Sequence, residues 1–288
     1  MEVQTLEADP FRLGREDEGS RSAREAWQPI PCTAVTPVRR YFDLQAGTIW
    51  TDLRSLLPRV TGTLIDVGCG AQPYRGLLND RVDYLGIDTV DAGSAFGYET
   101  AGTRYYDGKI WPVDDGSADV VLATETLEHV IDPGQFIDEA ARVLKPAGTL
   151  ILTVPFAARW HYVPHDYWRF TPSGFRELLS PRGFADVRVY ARGNSLTVAC
   201  YKWIALFLPF ILPQEKSPIK NVLLRLFGLV LAPLFIGVAI VGNVSLRSEG
   251  GDDCLGYTVV ARKTRTTAIY ATRSEAMRSK AESADATT

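Results

Sequence analysis

Three carboxylates punctuate the first half of the chain: Asp66, Asp88 and Asp107. Asp66 sits in the apolar run Leu64-Ile65-Asp66-Val67 and is followed at once by Gly68-Cys69-Gly70. A charge at a strand's end is costly to bury without a partner, and a turn without side chains lets the backbone press close against a ligand. Asp88 ends a second run, Val-Asp-Tyr-Leu-Gly-Ile-Asp over 82–88. The interval between the two acids fits one β-α-β step, which brings both to the same edge of a sheet as a ligand site. A second chemical cluster lies further on. Residues 156–170 are dense in aromatics, histidine and arginine, and with His129 they hold all three histidines. Imidazole titrates near neutrality, so His129, His165 and Asp166, with Tyr167 beside them, are candidates to contact a substrate hydroxyl and take its proton. His165 and Asp166 serve equally well to pin the loop by hydrogen bonds. His161 and His165 have helical zinc spacing, but Pro164 interrupts it and no third ligand is evident, so no metal site is expected.

The elements that must position these residues follow from periodicity and breakers. Strands are expected at 63–67, 82–88, 104–106, 119–123, 149–155, 184–190 and 255–263. Apolar residues from Tyr41 to Leu57 suit one or two amphipathic helices broken near Gly47. A helix is expected over 74–79. Another opens at Asp132-Pro133 and is closed by Leu144-Lys145-Pro146-Ala147-Gly148. Thr171-Pro172 starts a further helix by N-cap and N1-proline logic.

The stretch from Leu64 to Gly70 resembles motif I of the class I S-adenosylmethionine (SAM)-dependent methyltransferases, apolar-apolar-Asp/Glu-apolar-Gly-x-Gly. A dinucleotide fingerprint is the rival, but its third glycine would fall at Pro73. A plain structural turn is the other alternative. The run Lys109 to Asp119 resembles the family's D-x-x-x-L-P-F-x-D-x-S-F-D segment. Thr124 to Val130 resembles the v-L-E-H-v element of the methyltransferase type 11 group, which includes the ubiquinone and menaquinone enzymes. The resemblance implies a Rossmann-like, mostly parallel seven-stranded α/β sheet whose last strand is antiparallel. It implies SAM as cofactor, with Asp66, Gly68, Cys69, Gly70, Tyr74 and Glu125 around it. Asp88 would accept from both ribose hydroxyls. Asp107 and Gly108 would lie near the adenine amine, with Ile110 and Trp111 flanking the ring. An N-terminal helix would cap the site or simply pack on the sheet edge.

Between the sixth and seventh strands lie residues that such a core does not need, among them the apolar stretches 203–212 and 222–242. The second, about 30 Å long as a helix, is long enough to cross a bilayer. If the seventh strand completes the same sheet, a single crossing is impossible. A monotopic membrane hairpin is preferred; two crossings and a soluble lid or dimer face are the other options. From Lys202 to Arg247 there are five basic residues and one acid, Glu215, a bias that suits an anionic lipid surface. The expected organisation is a disordered leader over 1–36, a methyltransferase domain from 37–198 and 255–264, an apolar helical insertion over 199–247, and a disordered tail over 265–288. The net charge of −3 does not suggest a nucleic-acid binder. Four scattered cysteines suit reduced thiols in a cytosolic compartment, and the charged N-terminus has no secretory core. The function implied is methyl transfer to a small or lipid-linked acceptor of glycan, quinone or phospholipid type, at the cytoplasmic face of a membrane. The alternative is a non-catalytic SAM-fold protein tethered to a membrane as a partner of other enzymes.

Overall fold

A computed structural model of the chain describes residues 35–93, 99–162, 164–211 and 218–265. The expected leader over 1–34 and the tail from 266 lie outside the described residues. Seven strands form one sheet: β1 (Gly62–Val67), β2 (Val82–Thr89), β3 (Arg104–Tyr106), β4 (Ala118–Thr124), β5 (Leu144–Pro155), β6 (Phe184–Arg192) and β7 (Gly256–Lys263). Their order is β3-β2-β1-β4-β5-β7-β6. The first five run parallel, and β7 lies antiparallel to both β5 and β6. The strand order therefore reverses between β1 and β4, where open α/β sheets form a crevice at their carboxyl ends.

Helices cover both faces. On one, α3 (Pro133–Val143) and α4 (Pro172–Leu179) bury Phe136, Ile137, Phe175 and Leu179 against Ile65, Val121, Leu150 and Val259. On the other, α2 (Leu44–Leu56) lays Ile49 and Leu53 over Leu64, Leu122 and Ile151. A short α1 (Pro37–Phe42) precedes it. The break falls at Asp43 rather than near Gly47. Asp43 leaves the helical region at φ −102° and ψ 92°, and its carboxylate caps the second helix by accepting from Ala46 N at 3.2 Å.

Two further expectations are corrected. Residues 74–79 make only a one-turn 3-10 helix, Arg75–Leu77, since Pro73, Gly76 and Asn79 are poor helix formers around so short a run. The fifth strand begins at Leu144, five residues early. Pro146 stops α3, but its fixed φ suits extended chain, and Ala147 at φ +64° sits where the register shifts between Ala118 and Val120.

The insertion forms two antiparallel helices, α5 (Ser195–Ile211) and α6 (Pro218–Ser245). Their root is tied: Asn194 Nδ2 donates to Ser245 O at 2.9 Å, the Thr197 and Ser245 hydroxyls meet at 2.6 Å, and Gly251 N donates to Gly193 O at 3.1 Å. Val198, Cys200, Ile204, Phe235 and Ala239 bury themselves with Leu44 and Leu255. The hairpin is thereby seated on the start of α2.

Candidate active site

The carboxyl ends of β1, β2 and β4 meet at a cavity of about 260 Å3, lined among others by Gly68, Cys69, Gly70, Tyr74, Asp88, Glu125 and His129. The turn after β1 is fixed from below, because Gly68 N and Cys69 N both donate to Ile87 O, at 2.9 and 3.2 Å. Gly68 takes φ +66°, and a side chain there would collide with Thr126. Only glycine fits. Asp88 accepts from Gly70 N at 2.9 Å and from Thr89 N at 2.8 Å. Each carboxylate oxygen can accept more than one donor, so Asp88 retains capacity for hydroxyls in the cavity. Burial raises its pKa, though those two backbone bonds work the other way.

Asp66 lies beneath the turn rather than in the cavity wall. Tyr84 Oη donates to its Oδ2 at 2.8 Å, and its Oδ1 is buried without a hydrogen-bond partner among the described residues. Burial pushes its pKa to about 7, the Tyr84 bond lowers it, and the charge of Asp88 adds to the rise. Cys69, buried beside these acids, has its thiol pushed up to about 12, burial again being the main cause. It is no nucleophile at neutral pH.

A second part of the cavity wall is built by the segment after β4 and the loop after β5. Glu125 adopts φ +50° and is held by Arg192 Nη2, which donates to its Oε1 and to Val154 O, each at 2.9 Å. His129 Nδ1 lies 2.7 Å from the carbonyl of His165. A carbonyl only accepts, so Nδ1 carries the proton and Nε2 the lone pair. Burial lowers the pKa of His129 to about 4, leaving a neutral imidazole at pH 7. Glu128 is fully buried, its carboxylate without a hydrogen bond among the described residues and with Oε1 3.7 Å from His129 Nε2, and burial together with the Glu125 charge holds its pKa well up. His161 faces His129 and Glu128, the ligand-type atoms of the three lying within 4.8 Å of one another.

Of the sequence candidates, Gly68, Cys69, Gly70, Tyr74, Asp88, Glu125 and His129 come together in the cavity wall. Asp107, Gly108 and Ile110 do not. They follow β3, exposed, and Asp107 accepts from Lys109 N at 3.1 Å. Trp111 is buried against Phe136 with ring centroids 5.1 Å apart. His165, Asp166 and Tyr167 also fall outside the wall. Asp166 receives two hydrogen bonds from Arg169, at 2.6 and 2.8 Å, and one from His161 N at 3.1 Å. Burial opposes its ionisation, yet these bonds prevail and hold the carboxyl far below the usual range. Its contacts are those of a loop pin. Lining residues not singled out from sequence include Arg39, Ile49, Arg159, Tyr162 and Tyr201. The capping helix implied for the N-terminus pointed to the first two, and the aromatic loop to the next two. Nothing marked Tyr201.

The profile of a methyltransferase domain matches residues 65–152. The ubiquinone biosynthesis O-methyltransferase of Caulobacter vibrioides is 33% identical over 210 residues, covering 62% of this chain and 79% of that protein. The chain belongs to the class I SAM-dependent methyltransferases. The protein of the same description from Azorhizobium caulinodans is 32% identical over 163 residues, and the match spans 50% of this chain and 62% of that one, less than two thirds of its length. Among solved structures, the Haemonchus contortus phosphoethanolamine N-methyltransferase 2, in complex with S-adenosyl-L-methionine, aligns at a TM-score of 0.45 and 16% identity over 78% of this chain and 57% of that one.

SAM is the cofactor of this methyltransferase fold, and the residues present fit it. The turn at Gly68 admits no side chain, and Asp88, fixed by two backbone donors, faces a cavity beside it.

Proposed function

We propose that the chain transfers a methyl group from SAM to a hydroxyl or carbon of a small or lipid-linked acceptor, of the quinone type named for its relatives. The observation that carries this reading is the cavity itself, in which Asp88 and the Gly68–Gly70 turn share walls with Glu125 and the neutral His129. SAM supplies an activated methyl on a sulfonium. Gly68, Cys69, Gly70, Tyr74, Asp88 and Glu125 would hold it over Asp66. Asp107, Gly108 and Ile110 stand further along the same sheet edge, where the adenine would extend past Asp88. Orientation supplies much of the rate in such displacements, and Arg192 contributes by fixing Glu125. His129, neutral with its lone pair on Nε2, is the group best placed to take a proton from an acceptor hydroxyl. Arg159 and Tyr201 line the cavity too, and Tyr201 belongs to the apolar hairpin, which favours an acceptor with an apolar portion. The same hairpin favours a location at the cytoplasmic face of a membrane.

The test is isothermal titration with SAM, followed by transfer of labelled methyl to a prenylated catechol and to its soluble, tail-less analogue. His129→Gln is expected to lower kcat by about 100-fold or more while SAM affinity stays. Binding of SAM with no transfer to either acceptor would leave the non-catalytic alternative standing.

A further inference from the structure

We infer that the α5–α6 hairpin is a monotopic anchor that lies flat in the surface of an anionic bilayer, one face in the acyl chains and its cations among the headgroups. Helix α6 is long and apolar enough to cross a membrane: its most apolar 18-residue stretch has a mean hydropathy of 2.4, and only 17% of that stretch is buried. Its exposed side chains are not scattered. On a helix turning about 100° per residue, Ile219, Val222, Leu226, Leu229, Val230 and Val244 and the other exposed large apolar residues fall within about half the circumference. The opposite half carries Phe235, Ala239 and Gly242, which face α5 and Leu44. Lys220 and Arg225, both exposed, lie on the two edges of the apolar half. From α5, Leu196, Trp203 and Leu206 are exposed as well. A half-cylinder of apolar side chains flanked by cations is the pattern of a helix lying in an interface.

The geometry disfavours the two ways of crossing. Both ends of the hairpin return to β6 and β7, which pair with each other, so the chain comes back to the side it left. Stood on end, the hairpin would have α5 leave the interface near Lys202, whose Nζ donates to Ala157 O, next to the cavity-lining Ala158. Only Trp203–Ile211 remain of that helix, about 13 Å at 1.5 Å per residue. That falls well short of a hydrocarbon core about 30 Å thick, and the sequence that follows carries Gln214, Glu215 and Lys216. Charges and polar groups in such a core are expensive. Although the whole chain carries −3, the segment from Lys202 to Arg247 has five basic residues and one acid, which selects an anionic leaflet over a second copy of the chain.

The experiment is flotation of the full chain with vesicles of phosphatidylcholine alone or mixed with phosphatidylglycerol, SAM affinity being measured on every variant as the check of folding. Binding should require phosphatidylglycerol and weaken with salt. Lys220→Glu and Arg225→Glu should each weaken it about fivefold or more, and Leu226→Asp with Val230→Asp should abolish it with SAM affinity retained. With brominated lipids, Trp203 fluorescence (assigned by Trp203→Phe) should be quenched more by bromine near the headgroup than by bromine at the chain end. No flotation by a chain that binds SAM would overturn the anchor, as would strongest quenching from the bilayer centre. A lipid-independent dimer dissolved by Val230→Asp would overturn it too. Flotation without SAM affinity would instead overturn the proposed function and leave the anchor in place.

Discussion

In the proposed reading Asp88 serves the cofactor and His129 the acceptor, and the two roles are separable by measurement. Asp88→Ala removes an acceptor of two prospective hydroxyl bonds and should weaken SAM binding about 10- to 100-fold by titration calorimetry. Stability carries a second signature. The folded-state pKa of His129, about 4, lies below its ordinary value because of burial, so its contribution is fully present above about pH 6.5 and lost as pH falls toward 4. The sign is that of a base kept neutral by folding. Relative to His129→Asn, the wild type should lose about 3 kcal/mol over that window in denaturant titrations. Asp66 behaves oppositely. Its pKa is raised by burial to about 7, so its contribution is complete below about pH 4 and disappears as pH rises to 7. Asp66→Asn should therefore gain stability over the wild type as pH climbs through that range.

At the scale of elements, close backbone approach is what holds the hairpin. Gly228 abuts the carbonyl of Phe210, and a side chain at Gly242 would meet Leu44 at 2.8 Å. Gly242→Val should cost about 1–3 kcal/mol by overpacking, seen as a lower Tm, with SAM affinity largely kept below the transition. Much of this architecture is legible in the sequence, and the reasons are local. Leu64, Ile65 and Val67 before Gly68, or Val120 to Ala123 between Asp119 and Thr124, announce central strands through burial and turn chemistry alone. The early start of β5 is hidden, because Pro146-Ala147-Gly148 looks like a stop while pairing with β4 overrides it. The break at Asp43 is likewise hidden, because Gly47 looks like the breaker while the Asp43 carboxylate supplies the cap. In the site, Gly68, Gly70, Asp88, Glu125 and His129 are legible from type and spacing, and all line the cavity. Tyr201 is not, because its place in the cavity depends on how α5 docks over a gap of many residues.

For the whole molecule, the decisive fact is that β7 lies between β5 and β6. It pairs along Thr149–Pro155 on one side and along much of Phe184–Arg192 on the other. A chain ending before Gly256 lacks an interior strand, leaving two unpaired edges and the buried Val259 and Ala261 unreplaced. Such a fragment contains every motif residue of the methyltransferase profile, yet it should show no cooperative unfolding transition and no SAM affinity. Calorimetry on the truncated chain checks both.

The late arrival of β7 also sets an order of events during synthesis. While the ribosome is still adding residues 246–255, the slot between β5 and β6 stands open and the catalytic half cannot close. The hairpin has by then already been synthesised. With the proposed anchor, the apolar, basic hairpin is complete before the sheet beside it is, so attachment to a lipid surface would precede catalytic competence.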